Sequence, residues 1–139
     1  MGFHSDVYDG IKTLVDAAVS VPILQHIDDI NDQIERYAAF VVIVRQGIEW
    51  EPSPVIGQPG PQYETWTWDF YVRGGGGAAR AGGKATHVDT LLESLRTGIT
   101  QQKPDSTCGR LQIVSEIYDS HHGTGVIYKQ TWTHDRMDG

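Results

Sequence analysis

Cysteine is nearly absent from this chain. Cys108 is the single one among 139 residues, so no internal disulfide can form, and no cysteine–histidine spacing matches a zinc site. Its side chain is expected to be a small, partly buried group or a turn thiol rather than a nucleophile. Long apolar runs are missing too: no stretch approaches the ~20 residues a membrane-crossing helix needs. The opening segment MGFHSDVYDG has neither the basic start nor the apolar run of a secretory signal, and a reducing cytosol is the expected place of synthesis. Positive charge is scarce, 11 Lys and Arg against 18 Asp and Glu, for a formal net charge of −7. Affinity for a nucleic-acid duplex comes mainly from neutralised phosphates, so this balance argues against gripping DNA. It suits ordinary solubility, and equally a wall past which DNA slides without sticking.

Glycine is plentiful and concentrated in YVRGGGGAARAGGKATHVD, Tyr71–Asp89. The segment follows a strand-like alternation and precedes a helix-like repeat, the order in which a phosphate-binding loop is built. A P-loop needs Gly, four residues, then Gly-Lys-Ser/Thr, so that backbone N–H groups wrap the phosphates and the hydroxyl meets Mg²⁺. Counting back from Gly83-Lys84, the first glycine falls on Ala78, and Ala85 stands where the hydroxyl should be. The dinucleotide pattern fails as well, since Gly74 and Gly76 would require glycine at Ala79. The segment therefore reads as a flexible or assembly-bound loop.

A chain of this length makes one domain (residues 1–139) and buries roughly two-thirds of its unfolded surface. Ser5 is placed to cap a helix over about Asp6–Val19, whose stripe is Val7, Ile11, Leu14, Val15 and Ala18. After Pro22, the spacing of Ile23, Ile27, Ile30, Ile34 and Tyr37 suggests a second helix. AAFVVIVRQGIEW is β-branched and continuously apolar, a strand covered on both faces. EPSPVIGQPGPQ follows, with Pro52, Pro54, Pro59 and Pro61 in one stiff projection. YETWTWDFYVR alternates, with Trp66, Trp68, Phe70 and Val72 on one face, and closes a long hairpin. Thr86 with Asp89 matches a helix-start signal. Val88, Leu91, Leu92, Leu95 and Ile99 form the buried stripe of the helix that follows, and Gly98 marks its end. KPDSTCG is a turn cluster. RLQIVSEIY, with Leu111, Ile113 and Ile117 inward, and VIYKQTWTH, with Val126, Tyr128 and Trp132 on one face, form a second hairpin around DSHHGTG. The expected class is α+β: an antiparallel four-stranded sheet of two β-hairpins with two or three helices on one face, in the order α-(α)-β-β-α-β-β.

Chemistry-bearing residues are few. Asp119, His121 and His122 could supply a general base or metal ligands in a small α+β pocket enzyme. Adjacent histidines on a strand point to opposite faces, however, and no third ligand lies nearby, so polar turn residues are the preferred reading. HIDD at His26–Asp29 places a carboxylate near a histidine, but on the helix expected there they are not aligned as ligands, and WTHDR near the C-terminus has the same weakness. The tryptophan alternation could be a base-stacking platform, but Phe70 and Val72 share that face and no basic residues flank it. No catalytic, metal or cofactor site is expected.

Taken together, SDVYDGIKTLVDAAV, QIERYAAFVVIVRQG, TWTWDFYVRGGG, VDTLLESLRTGI and GVIYKQTWTHD resemble, through architecture and hydrophobic pattern across nearly the whole chain, the tail terminator or tail-completion proteins of long-tailed bacteriophages, the minor tail protein U group among them. Two departures are Ala38-Ala39, where proline often leads into the first strand, and the DDINDQ insert. The resemblance implies a structural virion protein of the neck region, made in the host bacterial cytoplasm. It implies a homo-oligomeric, six-membered ring that sits on the last tail-tube ring, stops tube growth and meets the head-side connector. DNA would pass through without specific binding, and no membrane would be involved. A head–tail connector or head-closure ring protein is the nearest alternative. Candidate subunit contacts are Pro52, Pro54, Val55, Ile56 and Pro59 in the proline loop, and Arg73, Gly74, Gly75, Gly76, Gly77 and Arg80 at the glycine loop. Burying Val55 and Ile56 against a neighbour would contribute roughly 3–5 kcal/mol before ordering costs. Because Ala78 and Ala85 break the phosphate cradle, calorimetry with ATP or GTP is expected to show no binding that Lys84→Ala abolishes.

Overall fold

A computed structural model describes residues 3–24, 39–50, 62–75, 87–122 and 125–138. The N-terminal stripe forms helix α1 (Phe3–Ala18), which buries Val7, Ile11 and Val15 completely, with Leu14 and Ala18 packed at the margin. Ser5 lies inside this helix rather than at its cap. The isoleucine stripe departs from expectation. Ile23 and Leu24 are not helical but form β1 (Ile23–Leu24), parallel to β2 (Phe40–Trp50), with Ile23 opposite Val41 and Leu24 opposite Val42. Proline biases the residue before it to extended backbone, and the Pro22 carbonyl accepts from the Val41 N–H at 3.0 Å. That non-local bond decides between helix and strand where the local pattern allowed both. Ile27, Ile30, Ile34 and Tyr37 lie outside the described residues, as do Pro52, Pro54, Val55, Ile56, Pro59, Gly76, Gly77 and Arg80.

β3 (Gln62–Gly75) pairs antiparallel with β2, from Phe40 opposite Arg73 to Trp50 opposite Glu64. It pairs along its other edge with β5 (Gly125–Asp138), and β5 pairs with β4 (Gln112–His122). The order is β1-β2-β3-β5-β4. The sheet is thus five-stranded and mixed, with one parallel pair, and two helices are described; this corrects the expected four-stranded antiparallel sheet with two or three helices.

Helix α2 (Val88–Ile99) buries the five residues its spacing marked out, Val88, Leu91, Leu92, Leu95 and Ile99. Its cap is His87, whose Nδ1 accepts from the Asp89 N–H at 3.1 Å. Gly98 stands in the last turn, one residue before the helix ends at Ile99. A β-carbon there would sit 2.9 Å from the Cβ of Ala18, so glycine lets α1 and α2 approach. Gln101, just past the C-terminal Thr100, takes the left-handed turn at φ 70°, a conformation more often given to glycine.

Both helices pack on the sheet face carrying Val41, Ile43, Trp66, Trp68, Phe70, Val72 and Trp132. Gln130, fully buried on that face, ties α2 to the sheet. Its Nε2 donates to the Leu92 carbonyl at 3.2 Å and to Glu116 at 2.8 Å, and its Oε1 accepts from Trp132 Nε1 at 3.2 Å. Arg96 of α2 completes the tie with an ion pair to Glu116 at 2.5 Å. Gly10 allows α1 to lie against the segment after α2, where an added β-carbon would be 1.9 Å from the Pro104 carbonyl oxygen. Backbone cannot swing aside as a side chain can. Gly10→Ala is expected to lower stability by about 1–3 kcal/mol and Gly47→Ala, with nothing within 4 Å, to change it far less. Urea denaturation of both variants measures the contrast.

Candidate interaction surface

The end of the β2–β3 hairpin is held by a buried carboxylate. Glu64, 3% exposed, accepts from Trp50 Nε1 and Trp66 Nε1, both at 2.9 Å, and faces Arg136 Nη1 at 3.5 Å. Arg136 also donates through Nε to Thr107 Oγ1 at 3.0 Å. Thr107 in turn gives its N–H and its hydroxyl to Asp105 Oδ1 at 2.7 and 2.5 Å. Register explains the assembly: Trp50, Glu64 and Arg136 stand side by side on three adjacent strands. Burial alone would raise the carboxyl's pKa, but the two indole N–H groups and the Arg136 charge outweigh it and lower it overall. Removing one partner of a buried ion pair strands the other's charge, at a cost of about 3–5 kcal/mol. With both oxygens engaged and the charge neutralised, Glu64 is a brace for strand ends and not a proton-transfer group.

His134 sits one register step inward, opposite Trp66. Trp68 Nε1 donates to its Nε2 at 3.0 Å, so Nε2 carries no proton; the proton is on Nδ1, which donates to the Asp135 carbonyl at 3.1 Å. The ring stacks on Trp66 and Trp68, with centroids 5.7 and 6.5 Å away. Burial lowers its pKa, against the raising influence of the Asp135 carbonyl and of the Asp135 and Asp105 charges. Cys108, 3% exposed, has its thiol raised to about 11 by burial and by Asp105. It is a packed side chain and not a ready nucleophile.

The residues singled out as possible catalysts do not gather into such a network. Asp119, His121 and His122 belong to β4 rather than to a turn, with His121 opposite Val126 and His122 opposite Gly125. Asp119 is exposed and accepts from the Ser120 hydroxyl at 3.0 Å. Among the described residues no group of three His, Cys, Asp or Glu is placed to hold a metal. Two open grooves of about 390 and 490 Å³ flank the helices, one lined by Ala18, Thr90, Glu93 and Thr97, the other by Asp9, Lys12, Asp16 and Pro22. Asp119 lines neither.

Of the glycine-loop candidates, Arg73, Gly74 and Gly75 fall inside β3, buried and paired with Ile127, Val126 and Gly125. The Arg73 guanidinium lies over Gly125, where a β-carbon would come within 2.6 Å of it. Among the described residues, the large exposed apolar side chains lie elsewhere, at Trp50 and Tyr63 by the hairpin end and at Val114, Ile117 and Tyr118 on β4. Sequence reasoning placed Ile117 inward. A bulge between Ile113 and Ser115 shifts the alternation and turns Ile117 to the opposite face, where it is 55% exposed. WTHDR was weighed for its His134, but the pairing of Arg136 with Glu64 and of His134 with Trp68 went unread; groups on separate strands become neighbours only once the register is known.

Comparison of the chain with protein-family models and with curated proteins finds no match.

His134 gives a pH signature. Its folded-state pKa lies below the ordinary 6.5, so below that value the unfolded chain binds a proton that the native state does not. Stability from this group is complete above pH 6.5 and declines as pH falls from there towards the folded pKa. His134→Gln, which keeps an acceptor for Trp68 but no titrating group, is expected to flatten that part of a denaturation-versus-pH profile.

Proposed function

We propose that this protein is a tail terminator of a long-tailed bacteriophage. Its copies close into a ring on the last tail-tube ring, end tube growth and offer a surface to the head-side connector. The observation that carries the reading is the pair of long hairpins, β2–β3 and β4–β5, on either side of α2 in the chain, the part of the expected element order that the structure retains; the parallel strand β1 was not in that order. The first hairpin supports it further, because Trp50 and Tyr63 remain 55% and 52% exposed where β2 and β3 end. These two aromatics bracket the proline segment, and exposed aromatics at the centre of a contact are the kind of residue that dominates association. The formal charge of −7 suits a channel wall that DNA must pass without adhering.

The test is complementation of an infection that lacks the native copy. Replacing Ser53–Pro59 by a short Gly-Ser linker is expected to leave a folded, soluble protein that cannot cap tails, giving abnormally long or unjoined tails in negative-stain micrographs. Tails of normal length with that variant would remove the proline segment from the mechanism. A wild-type copy that leaves tail length unregulated would overturn the terminator reading itself.

A further inference from the structure

The strand order leaves two edges open among the described residues. β4 pairs with β5 on one side and with no described strand on the other. At the opposite end, β1 covers β2 only at Val41 and Val42, so the stretch from Val44 to Trp50 has no described strand on its outer side. Open edges present rows of N–H and C=O groups that template pairing with another chain, and proteins blunt them with charges, proline or bulges. β4, QIVSEIYDSHH, has no lysine or proline; its two bulges and its Glu116 and Asp119 would exclude strands that do not match them. It carries Val114, Ile117 and Tyr118, each at least half exposed, and the β2 edge ends in Trp50.

We propose that β4 of one molecule pairs with the Val44–Trp50 edge of β2 in a second copy, joining the sheets edge to edge. The interface deepens the ring reading above and rests on it for the number of copies. Direction follows from the topology. β2, β3, β5 and β4 are antiparallel in succession, so β2 and β4 run oppositely, and copies set side by side in the same orientation meet with antiparallel strands. Such a contact is head to tail, leaves an open edge at each end of a growing row, and is satisfied fully when the row closes.

Charge selects the partner edge. Asp119 on β4 and Arg45 on β2 are both exposed, with the Arg45 guanidinium lying over the Trp66 ring, 5.8 Å from its centroid. The register that sets them opposite each other places Glu49, also exposed on that edge, opposite Ser115. The antiparallel register that sets Arg45 opposite Asp119 also sets Trp50 opposite Val114, bringing two exposed apolar side chains together. Pairing β4 with another β4 about a two-fold axis would instead crowd Glu116 and Asp119 of both copies, and like charges facing across strands destabilise. The pairable stretch is about 24 Å long at 3.4 Å per residue. Bulges at Arg45/Gly47, Ile113/Ser115 and Tyr118/Ser120 bend both edges, so that an arbitrary flat strand fits neither.

The test is the mass of the full chain against concentration, by analytical ultracentrifugation, with circular dichroism to establish that each variant is folded. Wild type is expected to associate beyond two copies. Val114 has no partner on β5, being the extra residue of a bulge, so Val114→Pro should block an incoming strand without breaking the β4–β5 ladder. Ile117→Lys should act likewise. Arg45→Asp and Asp119→Arg should each weaken association at least about tenfold, and the double variant should restore it, which keeps the test decisive if one single variant folds poorly. Wild type that stays monomeric at its highest soluble concentration, or stops at a dimer, overturns the proposal. So does a set of folded variants that associate as wild type does. Tail length in the complementation assay judges the terminator reading separately: normal tails from a Val114→Pro protein that still assembles would discard this edge alone.

Discussion

β3 is hydrogen-bonded along both edges, to β2 from Arg73 to Glu64 and to β5 over its whole length, so its side chains decide what each layer of the protein can be. Its even-numbered residues from Glu64 to Val72 all face the helices and all are buried. In the middle they are Trp66 and Trp68, stacked with centroids 6.1 Å apart, and large rings of this kind supply much of a small core's apolar area. Indole also brings an N–H into that core, and a buried N–H must be satisfied. Three partners follow from this demand: Glu64 for Trp66, His134 for Trp68 and Gln130 for Trp132. The buried polar residues on the helix-facing side of the sheet are therefore consequences of using tryptophan as the filling. Arg136 is a second-order consequence, since a buried carboxylate needs a counter-charge.

This dependence explains what could be read from the chain. The stripe of α2 and the alternation of β3 were legible because each element meets one uniform layer, and a helix or strand against such a layer carries its period in its own residues. The alternation of β4 was not legible past Ile113. A bulge adds one unpaired residue, and nothing local to VSEIY announces it. β1 was missed for the opposite reason. Its few residues are held by pairing with β2, a contact far away in sequence, while the spacing around them matched a helix. Gly98 marked the helix end to within one residue, but its contact with Ala18 could not be read, since the approach of α1 is not written in the local sequence.

The possible sites divide in the same manner. Asp119, His121 and His122 drew attention because they are close in the chain, yet they lie along one strand, with His121 and His122 opposite Val126 and Gly125 and Asp119 at a bulge. The described residues that do converge, Glu64, Arg136, Thr107 and Asp105, come from β3, β5 and the segment before β4, and only the sheet register assembles them. Once assembled, their polar atoms are directed at one another. Such a cluster has little left to offer a substrate, whereas it fixes the ends of three strands and holds the indole N–H of Trp50 while leaving the ring half in water.

Among the described residues, the large apolar groups that remain exposed lie along the perimeter of the sheet, at Trp50 and Tyr63 where the first hairpin ends and along β4 at the last strand. A sheet that buries its centre under two helices and leaves both lateral edges without a described partner has a direction, because its two ends differ in charge and shape. Arg45 and Glu49 lie on one, Glu116 and Asp119 on the other. A body with unlike, mutually complementary ends adds copies in one sense only, and the rotation between neighbours then decides whether the row closes or continues. In β-sheets the natural twist between adjacent strands supplies such a rotation without any further device. In the ring proposed above, closure would need no special residue. It would need edges that are open, unlike and bent, and bulges in β2 and β4 supply a bend.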